Sequence, residues 1–128
     1  MKCTPLLVVD DVARSRAWYG DVLGLEGAHG GDEFEMLMCA DGELQLMLHH
    51  PGTDEHPGIA NPGEGTPGGG VLLYVSVPEL GPVFERAREA GADLVDEPHA
   101  NSKAGSVEFT LRDPDGYSLT VSEWRGGA

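Results

Sequence analysis

Met36, Met38, Gln45, Met47 and His49 recur at two-residue spacing along two apolar runs, and in an extended chain that spacing puts them on one side. Methionine offers an adaptable, polarizable wall, the carboxamide both donors and an acceptor, and histidine a group that titrates near neutral pH. Such a set holds a flat or irregular molecule by dispersion and a few hydrogen bonds. By itself it breaks no bond. Later runs add Leu72, Tyr74, Thr110 and Thr120 at the same parity, with Trp124 at the end of the last run, placed to close a cavity or an interface.

Side chains that do bond-making chemistry are less organised. His49 and His50 stand where an apolar run meets a long loop, His56 lies inside that loop, and His29 and His99 fall in other connections. A metal site built on His49 and His99 is the alternative to surface or hydrogen-bonded histidines, and the second reading is the one adopted. Ser/His/Asp and Cys/His pairs exist without a spacing that ties them together. Gly68-Gly69-Gly70 lacks the lysine and helix that a phosphate loop needs, and no Gly-x-Gly-x-x-Gly follows a strand. Glu108 and Arg112 read as rim or surface charges.

The chain has 128 residues, 40% of them hydrophobic and 23% charged, as expected of one globular domain. Its net charge of −14 opposes binding to nucleic acid or an anionic membrane and attracts cationic ligands or metal ions. Two cysteines, Cys3 and Cys39, are too few for a disulfide framework. With no signal-peptide pattern and no apolar run of about 20 residues, the expectation is a cytoplasmic protein with reduced thiols.

The elements that must position these residues repeat. Pro5–Val9 is a strand, and Asp10 or Asp11 caps a helix over about Val12–Val22, which Gly24 ends. Phe34–Cys39 and Leu44–His49 are strands joined through Asp41-Gly42. A stretch rich in Pro and Gly from 51 to 70 connects to a second round. There, Val71–Val77 is a strand, Pro78-Glu79-Leu80 starts a helix that runs to about Ala90, and Asp93–Asp96 is a short strand. Val107–Arg112 and Tyr117–Glu123 form a hairpin around Asp113-Pro114-Asp115-Gly116. The parity opposite the methionines is purely apolar: Leu37, Leu44, Leu46, Leu48, Phe109, Leu111, Leu119 and Val121 suit packing under the helices. A repeat of about 70 residues is a strong organisational signal.

This tandem βαβββ plan resembles the vicinal oxygen chelate superfamily, which includes glyoxalases, extradiol dioxygenases, fosfomycin-inactivating thiol transferases and bleomycin resistance proteins. Two motifs carry the likeness: Val9-x-Asp11-Val12-x-x-Ser15-x-x-Trp18-Tyr19-x-Asp21-Val22-Leu23-Gly24-Leu25 and the Asp-Pro-Asp-Gly hairpin. The resemblance implies an α+β fold spanning residues 1–128, with modules at about 1–50 and 71–125. Their curled mixed sheets form a half-barrel around a cavity, with helices on the outer face and often a second subunit completing it.

Enzymes of the superfamily hold a divalent metal on four strands, at positions that the resemblance carries to Thr4, Gln45, Leu72 and Thr120. One carboxamide, two hydroxyls and a leucine make a poor ligand set. The chain is therefore expected to need no metal or other cofactor and to resemble the metal-free bleomycin-resistance-type proteins. It would be a homodimer sequestering an aromatic, cationic natural product on Met36, Met38, Gln45, Met47, His49, Leu72, Tyr74, Thr110, Thr120 and Trp124. The alternatives are an enzyme with an unconventional or absent metal site, using His49 or Glu108 as general acid or base, and a binding protein with a regulatory role.

Overall fold

A computed structural model describes residues 2–28, 30–51, 71–102 and 105–125. His29, His56 and nearly all of the 51–70 connection lie outside these residues. The chain divides into two compact units, Met1–Pro67 and Gly68–Ala128.

In the first unit, strand β1 (Leu6–Val8) leads to helix α1 (Val12–Leu23), then to β2 (Glu26–Ala28), β3 (Phe34–Met38) and β4 (Leu44–His49). Asp11 caps the helix, its carboxylate accepting from the Arg14 amide at 3.0 Å. Gly24 ends it in the left-handed conformation (φ 72°), which lets its own N–H reach back to the Gly20 carbonyl. The sheet order is β1-β4-β3-β2, with β1 parallel to β4 and the other pairs antiparallel. Helix α1 covers one face, burying Val12, Tyr19 and Val22 together with Leu37, Leu46 and Leu48 from the strands.

The second unit repeats this plan. Strand β5 (Leu72–Ser76) leads to helix α2 (Leu80–Glu89), β6 (Asp93–Leu94), β7 (His99–Asn101), β8 (Ser106–Arg112) and β9 (Ser118–Trp124). Its order is β5-β9-β8-β6, with β5 parallel to β9 and β7 also pairing β8. Helix α2 carries no side-chain cap of its own. Glu123 of β9 accepts from the Leu80 amide at 2.8 Å instead. That bond, and secondarily Arg125, holds the Glu123 carboxyl below the usual carboxylate range. Phe84 of the helix meets Phe109 of β8 edge-on, with centroids 5.1 Å apart. Both units are thus a mixed sheet with one helix on one face, the α+β arrangement expected from the repeat.

Three details differ from the sequence expectation. Asp93–Asp96 was expected to be one short strand and His99 to lie in a connection. Instead, β6 and β7 form an interrupted edge along β8, and His99 pairs with Glu108. At the break, the Asp96 carboxylate takes the Thr110 amide at 2.6 Å while the Val95 amide donates to the Thr110 carbonyl. A side chain thereby replaces a backbone acceptor, and Pro98 has no N–H with which to extend the ladder. Strand β2 lies in a stretch where no strand was placed. The third difference is a shift in register between β3 and β4: Leu37 faces Leu46, but Met38 faces Leu44. Gln45 is the extra residue of a bulge, so Leu44, expected beneath the helix, pairs with Met38.

The Asp-Pro-Asp-Gly hairpin forms as read. The Asp113 carboxylate, buried in the turn, accepts from the Asp115 and Tyr117 amides, each at 2.9 Å, and Gly116 takes φ 90°. Asp41 does similar work in the first unit, accepting from the Glu43 amide at 2.9 Å and from the Cys39 thiol at 2.7 Å. The thiol is the main cause that lowers the Asp41 carboxyl, followed by the Glu43 amide. Among the described residues no helix is long and apolar enough to cross a membrane.

Candidate functional site

Each sheet has a second face, turned away from its helix. In the first unit this face carries a row in which Met36 and Met47 are direct cross-strand partners, with Leu6 beyond Met47 on β1 and Ala28 beyond Met36 on β2. Both methionines are half-buried. The next row is Val8, His49 and Phe34. His49 is only 3% exposed, its ring edge-on to Phe34 and stacked on His50. Its Nδ1 lies 2.8 Å from the His50 carbonyl, which can only accept, so the ring donates there. Met38 belongs to the row of Leu44 and Glu26. Gln45 is exposed, and its amide donates to the Cys39 sulfur at 3.3 Å and the Glu43 carbonyl at 3.2 Å, so it closes the hairpin turn.

The second unit's face is built from hydroxyls and exposed apolar groups. Tyr74, Thr120 and Thr110 lie in one row, and Leu72 and Ser118 in another. The Thr110 and Thr120 hydroxyls are 2.8 Å apart and satisfy each other. Leu72 is 54% exposed, Tyr74 53% and Trp124 73%. The register thus gathers Leu72, Tyr74, Thr110, Thr120 and Trp124 on one side of a single sheet.

Glu108 stands on this same face, two residues from Thr110 and opposite Ser122 and His99. Its carboxylate accepts from the Tyr74 hydroxyl, which must reach over β9 to meet it, and from the Asn101 amide at 3.2 Å. Glu108 is part-exposed, as a rim charge is, and two neutral donors hold it in place. Strand parity with Tyr74 and Thr110 was a signal available in the sequence. Asn101 gave none, because its strand is three residues long and has no alternation.

A sequence model of the glyoxalase/bleomycin resistance protein/dioxygenase superfamily matches residues 4–121. The chain belongs to this superfamily. A protein of unknown function from Agrobacterium tumefaciens superposes on it with a TM-score of 0.77 at 23% identity, over 98% of this chain and 95% of that one. A glyoxalase-related enzyme from Fulvimarina pelagi gives 0.71 at 20% identity over 96% and 88%. The fosfomycin resistance protein FosX from Listeria monocytogenes gives 0.66 at 10% identity over 98% and 94%. At these identities the likeness is one of fold. No curated protein matches the chain.

The superfamily's metal positions test poorly on these residues. Thr4 precedes β1 and offers a hydroxyl, Gln45 spends its amide on the hairpin turn, and Leu72 is hydrocarbon. The Thr120 hydroxyl is engaged with Thr110. Among the described residues no three His, Cys, Asp or Glu side chains lie close enough together to share an ion. This donor set does not fit a catalytic divalent cation, which needs deprotonated, convergent ligands.

Proposed function

We propose that this superfamily member is a metal-independent binding protein that sequesters a toxic aromatic natural product by stoichiometric capture, as a resistance protein would. The observation that carries this reading is the second unit's open face. Three of the five exposed large apolar side chains among the described residues, Leu72, Tyr74 and Trp124, stand there over a floor of hydroxyls, and the superfamily's metal positions carry a poor ligand set. Exposed aromatic surface of this kind binds flat ligands through area and stacking. The Met36–Met47 pair supplies a second adaptable apolar surface, and the net charge of −14 speeds the arrival of cations.

The test is a thermal-shift screen against aromatic antibiotics, followed by mass spectrometry of any compound that stabilises the protein. A ligand at about 100 times its Kd should add roughly 2.7 kcal/mol to stability. It should be recovered unchanged in a one-to-one ratio with binding sites. Recovery of a modified compound would establish the enzyme reading, for which Glu108 is the candidate base.

Metal independence has its own measurement. Protein purified without chelator should carry far less than one equivalent of Zn, Ni, Fe, Mn or Co, and EDTA should leave its melting temperature unchanged. A stoichiometric ion that returns after dialysis, and restores stability when it does, would overturn the reading.

A homodimer is also expected. Strand β5 lies at the edge of its sheet, a place where a second chain can add by strand pairing. Sedimentation at micromolar concentration should give twice the chain mass of 13.5 kDa. A species that stays at the chain mass up to high concentration would mean that binding needs one chain only.

A further inference from the structure

The charge on the second unit's open face identifies a ligand class. We propose that Glu108, held between Tyr74 and Asn101, is the anchor for a protonated amine carried on an aromatic ligand; this rests on the binding-protein reading above and adds the chemistry of the ligand. Each carboxylate oxygen can accept two hydrogen bonds. The Tyr74 hydroxyl takes one position on Oε2 and the Asn101 amide one on Oε1, which leaves an acceptor position on each. Arg112 and Arg125, the described arginines of β8 and the end of β9, are directed to Asp93 and Glu123, and His99 to Asp96 and the Glu97 carbonyl. No described lysine, arginine or histidine forms an ion pair with Glu108, although His99 is its backbone neighbour on β7. The carboxylate is therefore positioned by neutral donors without being neutralised, as an ion-binding group should be.

Ser106 extends the site. Its Oγ is buried and has no hydrogen-bond partner among the described residues, a costly state that calls for an explanation. It shares the face of Glu108, two residues along β8, and its cross-strand neighbours are Asn101 and Trp124. Asn101, which holds one oxygen of the Glu108 carboxylate, is thus also the neighbour of Ser106, while Tyr74 holds the other oxygen from the Thr110 side. Side chains two residues apart on a strand are neighbours on its face, about 6.8 Å from one to the next. An ammonium has three N–H groups to give, and a carboxylate and a hydroxyl oxygen accept them. The rings of Tyr74 and Trp124, half or more exposed on either side, offer faces for the aromatic body and for the cation itself.

Three indole compounds of similar shape and different charge make the test: tryptamine is cationic, tryptophol neutral and indolepropionate anionic. Their affinities for the full chain are measured by NMR titration, alongside the Glu108→Gln and Glu89→Gln variants. Glutamine keeps the shape and still accepts from Tyr74, while the exposed Glu89 on α2 reports on net charge alone. The wild type should bind tryptamine about tenfold or more tighter than tryptophol. That preference should weaken with added salt and exclude indolepropionate. It should vanish in Glu108→Gln and persist in Glu89→Gln, with shifts confined to the Tyr74–Trp124 face. If Glu108→Gln does not fold, the charge series and its salt dependence on the wild type still decide the matter. Equal binding of all three compounds overturns the anchor and leaves the binding-protein reading standing. An equal loss in both variants overturns it too, since the preference would then come from the overall field. Failure of every compound, with failure of the antibiotic screen, removes both.

Discussion

Replacing Glu35 by alanine is expected to lower the melting temperature by roughly 10 °C. Glu35 is 3% exposed, on the helix side of β3 beside Leu37 and opposite Leu48. Its Oε2 takes the Arg16 Nε–H at 2.6 Å, and its Oε1 takes the amides of Ala28 at 2.8 Å and Met36 at 3.0 Å. Arg16 also donates to the Gly31 carbonyl at 2.6 Å. One carboxylate therefore ties α1, edge strand β2 and β3 together. Gly27 and Gly30 leave room for it, since a Cβ at either would strike it.

Breaking a buried ion pair by removing one partner costs about 3–5 kcal/mol. The Arg16 side chain is 31% exposed and can regain water, so the loss belongs at the low end, about 3 kcal/mol. At roughly 3–4 °C per kcal/mol for a domain of this length, that is about 10 °C. Glu35→Gln keeps an acceptor for the two amides and should lose about half as much. Circular dichroism melts of both variants decide the matter. An alanine variant that melts with the wild type would mean that the carboxylate holds nothing together.

Glu35 also marks where sequence reading stops. Parity put Leu37, Leu46 and Leu48 under a helix, and they are there. It could not show why a glutamate shares that side, because the arginine that satisfies it comes from a helix 19 residues away. The turns were legible because Asp11, Gly24, Asp113 and Gly116 act within a few residues of themselves. Gln45 failed for the opposite reason: a bulge is a property of two strands, and counting along one strand cannot detect it. Glu108 lies between these cases. Its face was readable from alternate spacing, whereas its partners Tyr74, 34 residues away, and Asn101, on an unrecognised strand, were not.

Lysine at two adjacent positions of β4 tests which side of the first sheet is core. Leu46→Lys is expected to be insoluble or unfolded, whereas Met47→Lys should melt within a few degrees of the wild type. Leu46 is 6% exposed and faces Leu37 beneath α1. A charge forced into such a place costs several kcal/mol, a large part of the roughly 5–15 kcal/mol that holds a domain folded. Met47 points the other way, half-buried between Leu6 and Met36. A lysine there can lay its hydrocarbon stem where the methionine lay and extend its ammonium to water. If that methionine row forms part of the binding surface, Met47→Lys should lose the ligand while keeping the fold, since the new cation removes the apolar wall and repels a cationic guest. A Met47→Lys protein that unfolds as badly as Leu46→Lys would make residue 47 core, and the assignment of the open face would have to be reversed.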